Sequence, residues 1–388
     1  MIQIFRHHAP RLIRRYTPVQ AFQLLFAQSM MWCRARARGA ARGLGGDGVG
    51  TDDAGVRVIA PATFFTTILV VFGLLPAATT KATATPAPPP VATASAAPVE
   101  VGVVTVPLAQ NEYQQWQPSE LSSVDVFEHE AHKHAGVVAW YADWQHNQFS
   151  LAQLQAVGAR GSIPQITWEP WDGSQPLYTP QPRYTLANIL AGNFDGYIRR
   201  SAQVVARYGR PVWLRFAQEM NGTWYPWDEQ ANGNHPGEFV RVWRHIHDIF
   251  AAAGATNVRW IWAPVANAPR AYFPGTRYVD MLGVTCLNGG KAMIRKGWRS
   301  FARICGRSIS KLHALAPGLG VEISELGTAE NGGSKATWIR NTLAFIANRP
   351  FIRGFVWFDI SKETNWRIDS SGSARRAFAI GVRPPRFK

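Results

Sequence analysis

The sequence predicts an α/β protein whose main domain is a (β/α)8 TIM barrel, preceded by a membrane segment and a Pro/Ala/Thr-rich linker. Three observations carry that prediction. After Glu100, eight short β-rich runs alternate with amphipathic helical stretches, the order that parallel strands with crossover helices produce. The length of 388 residues accommodates one such barrel of about 250 residues together with an extension. Two glutamates, Glu219 and Glu325, sit where the fourth and seventh runs end, at the strand edge on which barrels of this kind build their sites.

Composition narrows the choice before any element is placed. Hydrophobic residues make up 46% of the chain and charged residues 17%, with 16 Trp, 20 Phe and 10 Tyr, so a disordered chain is excluded and a large core is available. The formal charge is +16, but the basic residues are dispersed along the chain. No dense basic stripe forms, so no nucleic-acid partner is expected, and the excess reads as a solubility or surface-adhesion property.

The first hundred residues divide into three. Residues 1–57 are basic, with nine Arg between Arg6 and Arg57 and only Asp47, Asp52 and Asp53 as acids. Residues 58–80 carry no charge and centre on FFTTILVVFGLL, a signal peptide or a transmembrane anchor that would just cross a hydrocarbon layer of about 30 Å. The positive-inside rule keeps the basic segment in the cytoplasm and sends the rest across, so the bulk of the chain is expected to be exported, either anchored to the membrane through this segment or secreted. Residues 81–100 form an Ala/Pro/Thr tract with nothing to bury, an extended spacer. The catalytic barrel is then expected over 101–388.

Within it the strands are expected at 102–107, 136–141, 163–168, 211–216, 258–262, 279–285, 320–324 and 352–358. The helices between them include 193–208, 236–253, 298–315 and 335–348. In a closed barrel strands four and seven face one another across the mouth. Two glutamates there suit glycoside hydrolysis with retention, in which about 5–5.5 Å separates a proton donor from a nucleophile. Aromatic residues crowd the same edge: Trp168 and Trp171 follow strand three, Trp224, Tyr225 and Trp227 follow strand four, and Trp357 ends strand eight. Sugars offer flat C–H faces that stack on such rings, whereas Trp140, Trp213 and Trp260 lie within strands and are expected in the core.

The segments ITWEPW, WLRFAQEMNGTWYPW, EISELGTAENGGSKATWI, GFVWFD and NWRIDSS together resemble glycoside hydrolase family 26, over about residues 110–372. The resemblance implies a TIM barrel that retains configuration, acting on β-mannan or a related β-1,4-linked glycan within the polymer. It implies Glu219 as general acid/base and Glu325 as nucleophile. Trp168, Trp224, Trp227, Trp298 and Trp357 would line sugar subsites, with Gln218, Asn221 and Asp359 as polar contacts and Arg215, Glu169 and Asn288 in support. No cofactor and no metal are implied, the only partner besides the membrane is the polysaccharide, and a monomer is expected.

Two departures from the family pattern stand out. Gln218 occupies the position before the acid/base where the family usually has His. After strand six the chain reads GVTCLNGG, so Leu287 replaces a Tyr that hydrogen-bonds the nucleophile and the nucleophile is expected to lose that bond. These departures keep two alternatives open, a non-catalytic polysaccharide-binding barrel and a transglycosylase acting on an exported exopolysaccharide.

The remaining motifs read as structure. His129, His132 and His134 lack the i, i+4 spacing of a metal-binding helix and are expected on a solvated face. NGGSKATW has no phosphate-loop spacing and reads as a turn before a helix. The C-terminal RPPRFK is expected to be solvated or to rest on an anionic surface. Cys33, Cys286 and Cys305 have no metal-finger spacing. Cys286 and Cys305 are expected as buried free thiols, with a bridge as the alternative in an oxidising compartment.

Overall fold

The computed structural model of the chain describes residues 97–105, 116–146, 148–265, 269–293 and 297–388. The expected basic segment, the membrane segment and most of the linker lie outside the described residues. No helix among the described residues is long and apolar enough to cross a membrane.

Eight parallel strands close into a barrel in sequence order. They are β1 (Glu100–Thr105), β2 (Val137–Asp143), β3 (Ile163–Glu169), β4 (Val212–Phe216), β5 (Val258–Trp262), β6 (Met281–Asn288), β7 (Gly320–Thr328) and β8 (Ile352–Asp359). Closure is made by β1 and β8, paired in register from Glu100↔Gly354 to Thr105↔Asp359. All eight expected strands are present. The largest departure is β7, which runs on past Ser324 so that Glu325 lies within it.

Around the barrel run α1 (Ser122–Ala131), α2 (Leu151–Ala159), α3 (Leu186–Leu190), α4 (Asp195–Tyr208), α5 (Glu238–Ala252), α6 (Arg307–Leu315), α7 (Lys335–Ala347) and α8 (Gly372–Gly381). Several begin where a hydroxyl can take an otherwise orphaned amide. Ser150, Thr185, Ser334 and Ser371 accept from Gln153, Asn188, Thr337 and Ala374, each satisfying one of the free N–H groups of a first turn. The NGGS turn is thus a helix start, as the sequence implies. His129 lies on the exposed side of α1, and His132 ends that helix in the left-handed conformation.

Strand alternation sorts the aromatics. Gln165, Thr167 and Glu169 share one face of β3, so Trp168 points the other way, against Tyr197 of α4 and Phe250 of α5. Trp357 likewise packs on Phe378 of α8. Trp140, Trp213 and Trp260 are buried, as expected of strand interiors. The C-terminal tail is solvated at Arg383, Pro384, Pro385 and Lys388, but Phe387 is buried and bridges to Val99. Arg386 donates to the carbonyls of Ala97, Arg349 and Ile352. Buried chain ends leave backbone groups that must be paired, and the tail pairs those beside β1.

Cys286 and Cys305 form a disulfide with their Cα atoms 5.9 Å apart, which corrects the expectation of free thiols. On β6, Cys286 alternates with Thr285 and so faces outward. The segment 302–306 that leads into α6 packs against the same strand and presents Cys305. The Cα separation falls within the range that a disulfide spans. Closing a loop of 19 residues stabilises by about 3 kcal/mol through the unfolded chain. Thiol titration of the unfolded, unreduced protein is expected to give one thiol per chain, and denaturant melts with and without reductant should differ by that amount. Three titratable thiols would show the bond to be absent.

Candidate active site

The turn that follows β4 is built under strain. Ala217, Glu219 and Thr223 all have positive φ, at 43°, 55° and 65°, a region that side-chain-bearing residues enter only when the surroundings hold them there. They are held: the Glu219 amide donates to the Ala263 carbonyl at 2.7 Å, and the Glu219 carbonyl accepts from Gly222 at 2.8 Å. Asn221 clamps the same turn to the end of β5, with its amide donating to the Val265 carbonyl and its oxygen accepting from the Val265 N–H. At Gly222 a Cβ would lie 2.4 Å from the Trp224 ring. Only glycine lets Trp224 fold back, so that its indole N–H reaches Glu219 Oε2 at 3.1 Å.

Glu325 approaches from β7. A strict two-residue alternation would place Glu322 and Glu325 on opposite faces, but the register slips between Ile323 and Leu326 and turns both toward Arg215. The Arg215 guanidinium, 1% exposed, donates from Nη1 to Glu325 Oε1 at 2.6 Å. Its Nη2 donates to Thr285 Oγ1 at 3.2 Å, and Thr285 also hydrogen-bonds Glu219. Tyr141 of β2 completes the set, its hydroxyl donating to Glu325 Oε1 at 3.0 Å.

The two carboxyls have different surroundings. Burial, and then the negative charge of Glu325, push the Glu219 carboxyl above the usual carboxylate range. Glu325 instead has a buried cation and a phenol within hydrogen-bond reach. Burial opposes the charge on Arg215, but Glu325 and Tyr141 outweigh it and the guanidinium stays protonated. Burial and the adjacent Glu325 raise Tyr141 well above its ordinary value, so it remains a hydrogen-bond donor. One carboxyl biased toward its proton beside one offered cationic and phenolic donors is the arrangement that divides acid and nucleophile between two like residues.

The sequence profile of glycosyl hydrolase family 26 matches residues 186–325. Endoglucanase H of Acetivibrio thermocellus is 35% identical over 284 residues, covering 69% of this chain and 29% of its own length. The chain therefore spans under a third of that relative. A mannan endo-1,4-beta-mannosidase of Bacillus subtilis is 27% identical over 89 residues, 21% of this chain and 25% of its own. A GH26 beta-mannanase from Bacteroides ovatus shares the fold with a TM-score of 0.57 at 16% identity, covering 75% of this chain and 90% of that one. The chain belongs to glycosyl hydrolase family 26.

Against the family 26 pattern, the structure gathers some of the expected residues and disperses others. Glu219, Glu325, Arg215 and Trp224 meet at one place. Gln218 and Glu169 are buried and paired, the Gln218 amide donating to Glu169 Oε1, while Trp171 donates to Glu169 Oε2. Trp298 is half-buried on the connection after β6, in space that Gly332 and Gly333 keep clear for its ring. Trp168 and Trp357 are fully buried against helices and line no sugar subsite. Trp227 is fully buried too: it donates to the Gln218 carbonyl and stacks beneath Tyr225 at 4.2 Å, so Tyr225 presents the half-exposed ring.

Asn288 and Asp359 also turn away. Asn288 holds Thr328 and the Arg299 amide. Asp359 accepts from the Ile368 amide at 2.7 Å and is raised to about 6 by burial. Sequence reasoning missed Tyr141, because the family places its tyrosine on strand six and nothing in YADWQ marks a substitute. The bond expected to be lost with Leu287 is thus supplied from β2.

Asp143, His146 and Asp172 offer one ligand atom each within 4.8 Å of one another. Those atoms are already engaged internally, with His146 Nδ1 at 2.7 Å from Asp143 Oδ2. Deeper in the barrel Glu322 is fully buried, accepting from Ser324 at 2.6 Å. Burial raises it to about 7, against the opposing pull of Ser324 and Arg215.

Glu322 ties stability to pH. Below about 4.5 it is protonated in folded and unfolded chains alike. Between there and about 7 only the unfolded chain releases the proton, so stability falls as pH rises through this window. Glu322→Gln should flatten that fall by roughly 3 kcal/mol, read from denaturant midpoints between pH 4.5 and 7.5. An unchanged slope would place the proton elsewhere.

Proposed function

We propose that the protein is a retaining, endo-acting glycoside hydrolase of a β-1,4-linked glycan. The observation that carries this reading is the pair of carboxyls just past β4 and within β7, joined through Thr285 and Arg215, of which burial holds Glu219 toward its acid form while Glu325 takes hydrogen bonds from Arg215 and Tyr141. Glu219, held toward its acid form, protonates the departing glycosidic oxygen. Glu325, steadied by Arg215 and Tyr141, attacks the anomeric carbon. Glu219 then serves as base and activates the water that releases the sugar. The half-exposed rings of Trp224, Tyr225 and Trp298 stack on the sugar faces, and Trp224 ties the stacking surface to the acid.

For the substrate, β-glucan is the first choice and β-mannan the second. The 35% identical relative is named an endoglucanase, whereas the mannosidase match is shorter and weaker. Export accords with the reading: a polymer substrate lies outside the cell, the uncharged run 58–80 precedes the domain, and the Cys286–Cys305 bond suits an oxidising compartment.

The test is incubation of the full-length protein with β-glucan, glucomannan, β-mannan, β-xylan and bacterial exopolysaccharides, with products sized by mass spectrometry. Shorter oligosaccharides from one polymer are expected, and Glu219→Ala and Glu325→Ala should each abolish them. Products longer than the starting oligosaccharide would indicate transglycosylation instead, and binding without turnover a polysaccharide-binding barrel.

Tyr141→Phe removes one hydrogen bond to a charged group, worth about 1.5–3 kcal/mol. It should lower kcat/KM by about 10- to 100-fold with the fold intact by circular dichroism. Full activity would show that Tyr141 does not steady Glu325.

A further inference from the structure

The connection between β3 and α4 leaves a cavity of about 500 Å3 beside the end of β2. It is separate from the paired glutamates, sharing none of the residues that hydrogen-bond Glu219 or Glu325. Its size is that of a small-ligand site. Three aromatic residues line it: Trp144, Phe194 and Tyr197, packed against one another with ring centroids 5.1 and 5.3 Å from that of Trp144. The Trp144 indole N–H is buried and has no hydrogen-bond partner among the described residues.

Two exposed guanidinium groups, those of Arg183 and Arg200, also line the cavity. Neither makes an ion pair with a carboxylate of the described residues. Arg183 is oriented by neutral neighbours, donating to Gln145 Oε1 at 3.0 Å and lying 6.0 Å from the Phe194 ring centre. Asn193 donates its amide N–H to Asn188 Oδ1, which leaves its own carbonyl oxygen as an acceptor at the edge.

We propose that this cavity is a second carbohydrate site, which takes a sugar ring bearing a carboxylate, such as a uronic acid unit of an acidic polysaccharide. Unpaired guanidinium groups are the natural receptors for a planar carboxylate, through charge-assisted and bidentate hydrogen bonds. Trp144 and Phe194 form a buried apolar floor, the partly exposed Tyr197 ring offers the contact for the C–H face of the sugar, and the Asn193 carbonyl accepts from a ring hydroxyl. A small inorganic anion would gain from the arginines alone. The formal charge of +16 draws an acidic polymer to the surface, and a site beside the barrel mouth would hold such a polymer without occupying the two glutamates. This inference concerns binding and stands whether or not the protein hydrolyses a glycan.

The experiment is calorimetric titration of the full-length protein with a glucuronic acid tetramer, with cellotetraose and sulfate as controls, for the wild type and for Arg183→Ala/Arg200→Ala. The acidic tetramer is expected to bind the wild type with an affinity that falls as salt rises. The double variant should bind it at least tenfold more weakly, with unchanged affinity for cellotetraose and an unchanged melting temperature. Arg200→Ala alone should give an intermediate loss. Equal affinity in wild type and double variant would overturn the proposal. So would sulfate that competes as well as the tetramer, or a loss for cellotetraose as large as that for the acid.

Discussion

A guanidinium buried inside the closed barrel organises everything around it. Arg215 is almost wholly removed from water, and a lone charge there would be prohibitively unfavourable. It is tolerable because Glu325 and Thr285 take its hydrogen bonds and because the strand register brings them to it. The barrel must therefore close with β4, β6 and β7 in one particular alignment. The slips in β6 and β7, at Gly283/Thr285 and Ile323/Leu326, are the local adjustments that let Thr285 and Glu325 face the same cation.

The same constraint explains why the end of β4 is strained. Glu219 must reach toward that centre from the third residue past its strand, and a left-handed backbone at Ala217 and Glu219 supplies the turn. Such conformations persist only where neighbours over-determine them. Asn221, the Ala263 carbonyl and Trp224 do so here, tying the turn to β5 on one side and to the Glu219 carboxyl on the other. Stability given up in the backbone is thus offset by hydrogen bonds that also fix the geometry of the site.

Around this centre the aromatic residues perform two separate tasks. Trp168 and Trp357 seal the barrel against its helices, and Trp227 supports Tyr225 from below. Trp224, Tyr225 and Trp298 remain partly open at the rim. A tryptophan near a strand end can serve either purpose, and which it serves depends on the face of the strand that it occupies.

The alternation of β-rich and helical runs, the polar starts of the helices and the placing of Glu219 beyond β4 and Glu325 on the seventh strand were legible in the sequence, because periodicity and capping are local and a barrel turns strand order into position. The family motifs singled out Glu219 and Glu325 as a pair and added Arg215, which the structure brings together. What depended on tertiary structure was every choice between two faces or two partners. Alternation carried Trp168, Trp357, Asn288 and Asp359 away from the mouth, and the slip in β7 brought Glu325 toward it. Packing joined Cys286 to Cys305 and drew the charged tail onto β1. Tyr141, 184 residues before Glu325 in the chain, became its hydrogen-bond donor only because β2 and β7 curve around the same interior. Local sequence fixes what a residue can do; closure of the sheet decides which residues meet.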